Sequence, residues 1–280
     1  MQRTPAGGGQ GGSWMLPEAQ SDDLLYVSSG CSGTCNVYVF SYPGAKPVGV
    51  LSGFVNPGGL CSDRKGNVWI TEAGAGDVVE YAHGGTKPIA KLKDSLYPQA
   101  CSVDPATGDL AVANQSYSML GIYRHARGQP KLYMGYGAFA FSCTYDGAGD
   151  VFLAAGAPYN EAVDWVPKGG SKAKRFPMKP HIYPVGGVLW HGQYLTAVNK
   201  EYQLVRYVRA GQGAKLVDII SLDYSTYLSG YWIQGAFVVG ATSQGVTFWK
   251  YPAGGSIVKT ITSVPSPAGV TVSVVPPDHL

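Results

Sequence analysis

Apolar and polar positions along this chain switch in short bursts, most clearly in residues 57–85, PGGLCSDRKGNVWITEAGAGDVVEYAHGG. An apolar run (58–62) ends at a polar turn (63–67), where Asp63 can bond its own backbone and Gly66 can take a positive φ. Residues 68–71, VWIT, are β-branched and aromatic, which suits a pleated and half-buried surface. A glycine-bearing loop (72–77) separates them from VVEY at 78–81. Gly84 and Gly85 then turn the chain into a fourth run, PIAKL at 88–92. Runs this short, with turns between them, predict strands. Four in succession predict the antiparallel meander that makes one blade of a propeller.

Weaker copies of the unit recur along the chain. An aromatic residue closes the third run of each: Tyr42, Tyr81, Tyr123, Trp165, Tyr207 and Tyr251, spaced by 39, 42, 42, 42 and 44 residues. Proline opens the first run at Pro57, Pro98, Pro184 and Pro267, and Asp63, Asp104 and Asp146 open the first turn of three successive units. Five full units cover 58–98, 99–138, 139–184, 185–226 and 227–267. The chain enters mid-unit at LLYV (24–27), the counterpart of VWIT, and leaves on PAGVTV (267–272), the counterpart of the run after Pro57. The expected fold is all-β: a six-bladed β-propeller of four-stranded blades, closed by the C-terminal strand pairing into the N-terminal blade. Closure of this kind removes sheet edges that would otherwise invite aggregation. Residues 1–21 are expected to be a flexible glycine-rich tether, 22–276 a single propeller domain, and 277–280 a tail.

Composition fits that picture. Of 280 residues only 14% are charged, while 39 are glycine and 19 proline, a turn-rich balance that argues against helical bundles. A net charge of +3 is too small for a nucleic-acid footprint. No apolar run approaches the roughly 18 residues of a membrane helix, so no transmembrane segment is expected. The first 20 residues carry no apolar core of a secretion signal, and a glycine-rich tether of this sort often comes after a signal that has been removed. The expected compartment is extracytoplasmic, periplasmic or secreted, and the expected state a monomer.

GNVWITEAGAGDVVEY, residues 66–81, resembles NHL-repeat propellers, and the chain from about Asp22 onward is similar to bacterial members of the gluconolactonase-like superfamily. GGSWMLPEA and DLLYVSSG near the start resemble extracytoplasmic members of that group. The resemblance implies the fold. It also implies, as the alternative function, a metal-dependent hydrolase or lyase holding one divalent cation on inner-strand Glu, Asn and Asp. The inner strands do not supply that set: none carries a carboxylate before its turn, and Asp63, Asp104 and Asp146 fall where an aspartate caps a bend. No cofactor is therefore expected, a divalent cation entering only under the alternative.

His83, His125, His181, His191 and His279 fall in different units with no metal-ligand spacing. No GxSxG elbow is present. Cys31 and Cys35 bracket a short loop in the first blade and could form a disulfide. Cys61, Cys101 and Cys143 lie on successive inner strands, Cys61 one residue later in register and so on the opposite sheet face. They read as small buried hydrophobes.

The remaining signal is aromatic. Loops entering the inner strands carry Phe54, Tyr97, Tyr136, Phe139, Tyr183, Tyr224 and Tyr227, and loops between second and third strands carry Tyr117, Tyr159 and Tyr202. A propeller puts both loop sets at one mouth of its channel, here beside Asn114, Gln115, Asn160, Asn199 and Gln244. The expected ligand-binding residues are Tyr97, Tyr117, Tyr159, Tyr183, Tyr202 and Tyr227, on a neutral surface that stacks rings and fixes orientation through amides. The function expected is thus a non-catalytic binding or scaffold propeller for a small neutral ligand, a glycan, a peptide or a protein, with no catalytic residues.

Overall fold

The computed structural model describes residues 12–31, 34–156, 162–181, 184, 186–223 and 228–275. They form six sheets arranged as the blades of a ring, antiparallel but for the short strand Met178–Lys179, which pairs parallel with Gly213–Ile220, and with 3-10 turns at Pro17–Gln20, Ser116–Ser118 and Arg124–Ala126. Named from the hub outward, blade 2 is Pro57–Ser62, Val68–Glu72, Asp77–Tyr81 and Pro88–Lys93. Blade 3 is Pro98–Val103, Leu110–Asn114, Met119–Tyr123 and Lys131–Met134; blade 4 is Phe139–Tyr145, Val151–Gly156, Ala162–Val166 and Lys174–Arg175. Blade 5 is Val188–His191, Tyr194–Val198, Leu204–Ala210 and Gly213–Ile220, and blade 6 is Leu228–Gln234, Phe237–Thr242, Gly245–Lys250 and Gly254–Ile261.

Blade 1 closes the ring. Its inner strand is the C-terminal Pro267–Ser273, followed outward by Leu24–Ser29, Thr34–Ser41 and Pro47–Val55. Leu24 lies opposite Ser273 and Val27 opposite Val270, so the chain enters and leaves this pair at the same end. There the His83 ring of blade 2 spans both partners, with Nδ1 at 2.6 Å from Ser273 Oγ and Nε2 at 3.1 Å from the Asp22 carbonyl. Val275 N donates to Asp23 Oδ1 at 2.9 Å beside it.

The tether expected through residue 21 differs in part. Trp14–Met15 pairs with Val50 and Gly49 and adds a fifth strand to blade 1, while Pro17–Gln20 buries Ala19 in the seam with blade 2. Trp14 and Met15 supply apolar surface that the glycine run ahead of them lacks, and the open edge of Pro47–Val55 supplies backbone partners. The tether portion 1–11 and the tail 277–280 lie outside the described residues.

Blades pack face to face. Because one blade's forward face meets the next blade's rear face, side chains one residue apart in register meet across a seam. Cys61, opposite Trp69, therefore reaches Cys101, opposite Val112, and the two are bonded, with their Cα atoms 5.6 Å apart. The offset that sets Cys61 on the opposite face is what brings the two cysteines together, which corrects their reading as separate small hydrophobes. Trp69, Leu110, Val112 and Tyr123 bury around them. Each fully buried side chain of this size contributes about 1.5–3 kcal/mol over an exposed one. Cys143 repeats the Cys101 position in the next seam; Sγ of each lies 3.7 Å from the equivalent carbonyl, Ala111 or Trp69. Its neighbour from blade 3 is Ser102 rather than cysteine, so Cys143 stays a buried free thiol. Cys31 and Cys35 are also bonded.

Near the hub, hydroxyls tie the seams: Ser28 donates to Gly58 O at 2.6 Å, Ser62 to Val272 O at 2.8 Å, and Trp190 N donates to Thr144 Oγ1 at 2.8 Å. Gly269 is required here, since a Cβ would lie 2.7 Å from Gly58 O. The aspartates at the inner turns cap them: Asp63 Oδ1 accepts from Lys65 N and Asn67 N, Asp104 Oδ1 from Ala106 N, and Asp146 Oδ1 from Ala148 N and Asp150 N.

Candidate binding face

Backbone hydrogen bonds draw the loops between blades and the loops between second and third strands to one end of the ring. Gly74 N donates to Val55 O and Ala73 N to Asn56 O; Gln115 N donates to Tyr97 O and Ser116 N to Leu96 O; Gly135 N donates to Ser118 O. These bonds order a continuous surface over blades 2 to 4. Tyr97 is 39% exposed on it, Tyr117 78% and Tyr136 55%, with Val55 and Met134 beside them. Asn56 Nδ2 donates to the Tyr97 hydroxyl at 3.1 Å.

The backbone holds several of these residues in the left-handed region: φ is 52° at Asn56, 66° at Tyr97, 57° at Tyr117 and 52° at Ser118. Each such residue costs on the order of 1–3 kcal/mol and persists only where its surroundings over-determine it. Buried carboxylates flank the first two, and a third holds Tyr136, each gripping the backbone of one inter-blade loop. Glu72 Oε1 accepts from Val55 N at 3.0 Å, Asp94 Oδ1 from Leu96 N at 3.2 Å, and Asp164 Oδ2 from Tyr136 N at 2.7 Å. Asp94 also takes the Tyr123 hydroxyl at 2.9 Å and the Asn114 amide at 3.3 Å. Burial pushes the Glu72 and Asp164 carboxyls up; the Val55 amide and Lys91 oppose it at Glu72, and the Tyr136 amide and Arg175 at Asp164. Arg175 closes over this corner, its guanidinium 5.2 Å from the Tyr136 ring centroid and 3.6 Å from Asp164 Oδ1.

The other aromatic candidates fall elsewhere. Tyr202 lies half-buried on blade 5, also at positive φ, with its amide bonded to Asn199 O. Tyr159, Tyr183 and Tyr227 lie outside the described residues, as do Tyr224 and Asn160. Phe54 packs inside, 5.9 Å from the Tyr81 ring. Asn114 and Asn199 are buried, Asn114 on Asp94 and Asn199 capping the turn to Gln203, so neither amide is offered to a ligand. Asn56, which follows a strand and precedes Pro57, carries no sequence signal for its part in the surface.

The central channel encloses about 470 Å³ between inner strands, with Phe139, Phe141, Leu60, Trp232 and the backbone of Gly58 and Gly269 in its wall. No carboxylate or imidazole lines it, and among the described residues no three His, Cys, Asp or Glu side chains converge as metal ligands. Among the described residues this wall offers only neutral oxygens, such as those of Gln99, Ser142 and Ser229, and no carboxylate to balance a divalent charge, so the residues present do not fit such a cation.

No family model matches the sequence, and none of the curated proteins matches it. Among solved structures the chain is similar to one in a nidogen/laminin complex, with a TM-score of 0.73 and 11% identity over 90% of this chain and 98% of that one. It is also similar to a chain of Kuenenia stuttgartiensis hydrazine synthase, with a TM-score of 0.58 and 16% identity over 72% of this chain and 64% of that one. At such identities the likeness shows the fold alone, and that fold is the six-bladed β-propeller.

Proposed function

We propose that this propeller is a non-catalytic binding module that docks a neutral glycan, peptide or protein segment on the Tyr97–Tyr117–Tyr136 face. The observation that carries the proposal is the set of three exposed tyrosines on one face, Tyr97 and Tyr117 on left-handed backbone and Tyr136 on an amide held by a buried carboxylate. Preorganised rings bind at low entropic cost, because little ordering is left to the moment of contact. The partially exposed Tyr202 extends the candidate surface to blade 5. Likeness to a chain from a complex of two proteins is in keeping with a protein partner. Two disulfides support an oxidising, extracytoplasmic compartment.

Membership of the NHL and gluconolactonase-like group rests on residues 66–81 and is part of this proposal. The hydrolase alternative has only that resemblance behind it. A glycan array and a displayed peptide library, probed with wild type and with Tyr97→Ala/Tyr117→Ala/Tyr136→Ala, test the binding function. Ligands retained by wild type and lost by the folded triple variant are expected. Equal retention by both proteins sinks the proposal, and a stoichiometric divalent cation in the purified protein favours the hydrolase.

A further inference from the structure

A second concavity opens at the other end of the ring, between the inner turns of blades 2 and 3 and the outer hairpin of blade 3. It measures about 690 Å³, within the size range of small-molecule sites. Glu80 lines it, and its position is anomalous. Glu80 faces Trp69 within blade 2; the same place is Phe40 opposite Leu25 in blade 1, Ile122 opposite Ala111 in blade 3 and Trp165 opposite Phe152 in blade 4. Three blades fill this wedge with an apolar side chain, and blade 2 puts a carboxylate there.

That carboxylate is half-buried and has no cationic partner. Arg64, Lys65 and Arg127 line the same cleft, yet among the described residues no ion pair joins any of them to Glu80 or to another acid. Burial pushes the Glu80 carboxyl up and the Asp63 charge adds to this, while the Asn67 amide, Lys65 and Arg127 pull it down. Charges of both signs thus face one cavity without neutralising each other. The hairpin wall is strained as well: His125 and Ala126 hold φ of 49° and 50° where blade 2 uses Gly84 and blade 4 uses Gly169. His125 Nδ1 is fixed at 3.0 Å from Thr107 O, which braces this wall against the inner turn of its own blade.

We propose that this cleft binds a small zwitterion, an amino acid or short peptide, with its ammonium group against Glu80 and its carboxylate facing Arg64, Lys65 and Arg127. Ile89, Ala90 and Val103 offer apolar surface to the body of the ligand between those poles. The arrangement obeys the rule that a buried charge calls for a paired one: wild type leaves the pairing for a ligand to complete.

The test uses the full chain with trialanine, its N-acetyl form and its C-terminal amide as probes in titration calorimetry. Trialanine is expected to bind wild type with a Kd of about 1 mM or tighter. Acetylation or the E80Q substitution each weakens it by about tenfold or more, and the two changes together cost no more than either alone. Amidation and Arg127→Gln behave as a second such pair. Glu80→Ile, which copies blade 3, is expected to raise Tm while abolishing binding, because the residue serves a ligand at the expense of packing. No binding of any probe by about 10 mM overturns the proposal, as do equal affinities for all three probes. A lower Tm for Glu80→Ile overturns it too, by making Glu80 a structural partner of Asn67.

Discussion

Ser102→Cys should create a third disulfide, with Cys143. Ser102 stands to Cys143 as Cys61 stands to Cys101: each pair has one member a residue later in register, and in each the later residue belongs to the earlier blade. Ser102 Oγ already touches the inner strand of blade 4, accepting from Tyr145 N at 3.0 Å. The Cys61–Cys101 bond closes a separation of 40 residues, and the new bond, between positions 102 and 143, would close one a single residue longer. Restricting the unfolded chain by such a loop is worth about 4 kcal/mol in the chain-entropy treatment. Losing the hydroxyl acceptor for the Tyr145 amide costs about 1–3 kcal/mol. The net gain is thus about 1–3 kcal/mol, or roughly 2–4 °C in Tm for each of those kcal/mol. The assay is thiol titration in denaturant together with calorimetry in the presence and absence of a reductant. Wild type should show one free thiol, that of Cys143, and the variant none. A folded variant with two titratable thiols would refute the register argument. A bonded variant less stable than wild type would show that blade 4 cannot approach as blade 3 does.

Asp164→Leu should release the Tyr136 corner, with amide exchange at Tyr136 accelerating about tenfold or more as its acceptor is lost; Asp164→Asn, which keeps an acceptor, should restore most of the protection. Uniform acceleration across the core amides would instead mark general destabilisation. His191 sits half-buried at 5.2 Å from the Tyr251 ring, and burial and then the Arg206 charge hold its imidazole below the usual histidine range. A lowered folded-state value means the unfolded chain takes up the proton first, so stability should fall as pH drops below about 6.5. His191→Gln should flatten that slope relative to wild type, and parallel curves from denaturant titrations across this range would disprove the assignment.

The repeat was legible because each blade is built from local signals: period-two strands, glycine turns, and an aspartate opening the bend. Closure could be read from the half-units LLYV and PAGVTV for the same reason. What escaped belongs to seams. Cys61 and Cys101 were visibly one register apart, but only the meeting of opposed blade faces turns that offset into contact. Glu72, Asp94 and Asp164 look like ordinary strand and loop acids, and their grip on inter-blade amides depends on loops that approach in space. Tyr97 and Tyr136 stood out by composition, whereas the inward turn of Phe54 comes from its packing on Tyr81.

The closing pair of blade 1 has a mechanical consequence. Since Leu24 and Ser273 sit at the same end of the pair, tension between the two ends of the domain would peel these strands apart bond by bond rather than shear them all together. The weakest place under load is then the fork itself. His83, reaching from blade 2 to Ser273 and to the Asp22 carbonyl, is a latch across that fork, and the Val275–Asp23 bond beside it is a second, so the resistance of the ring to being pulled open is shared between them.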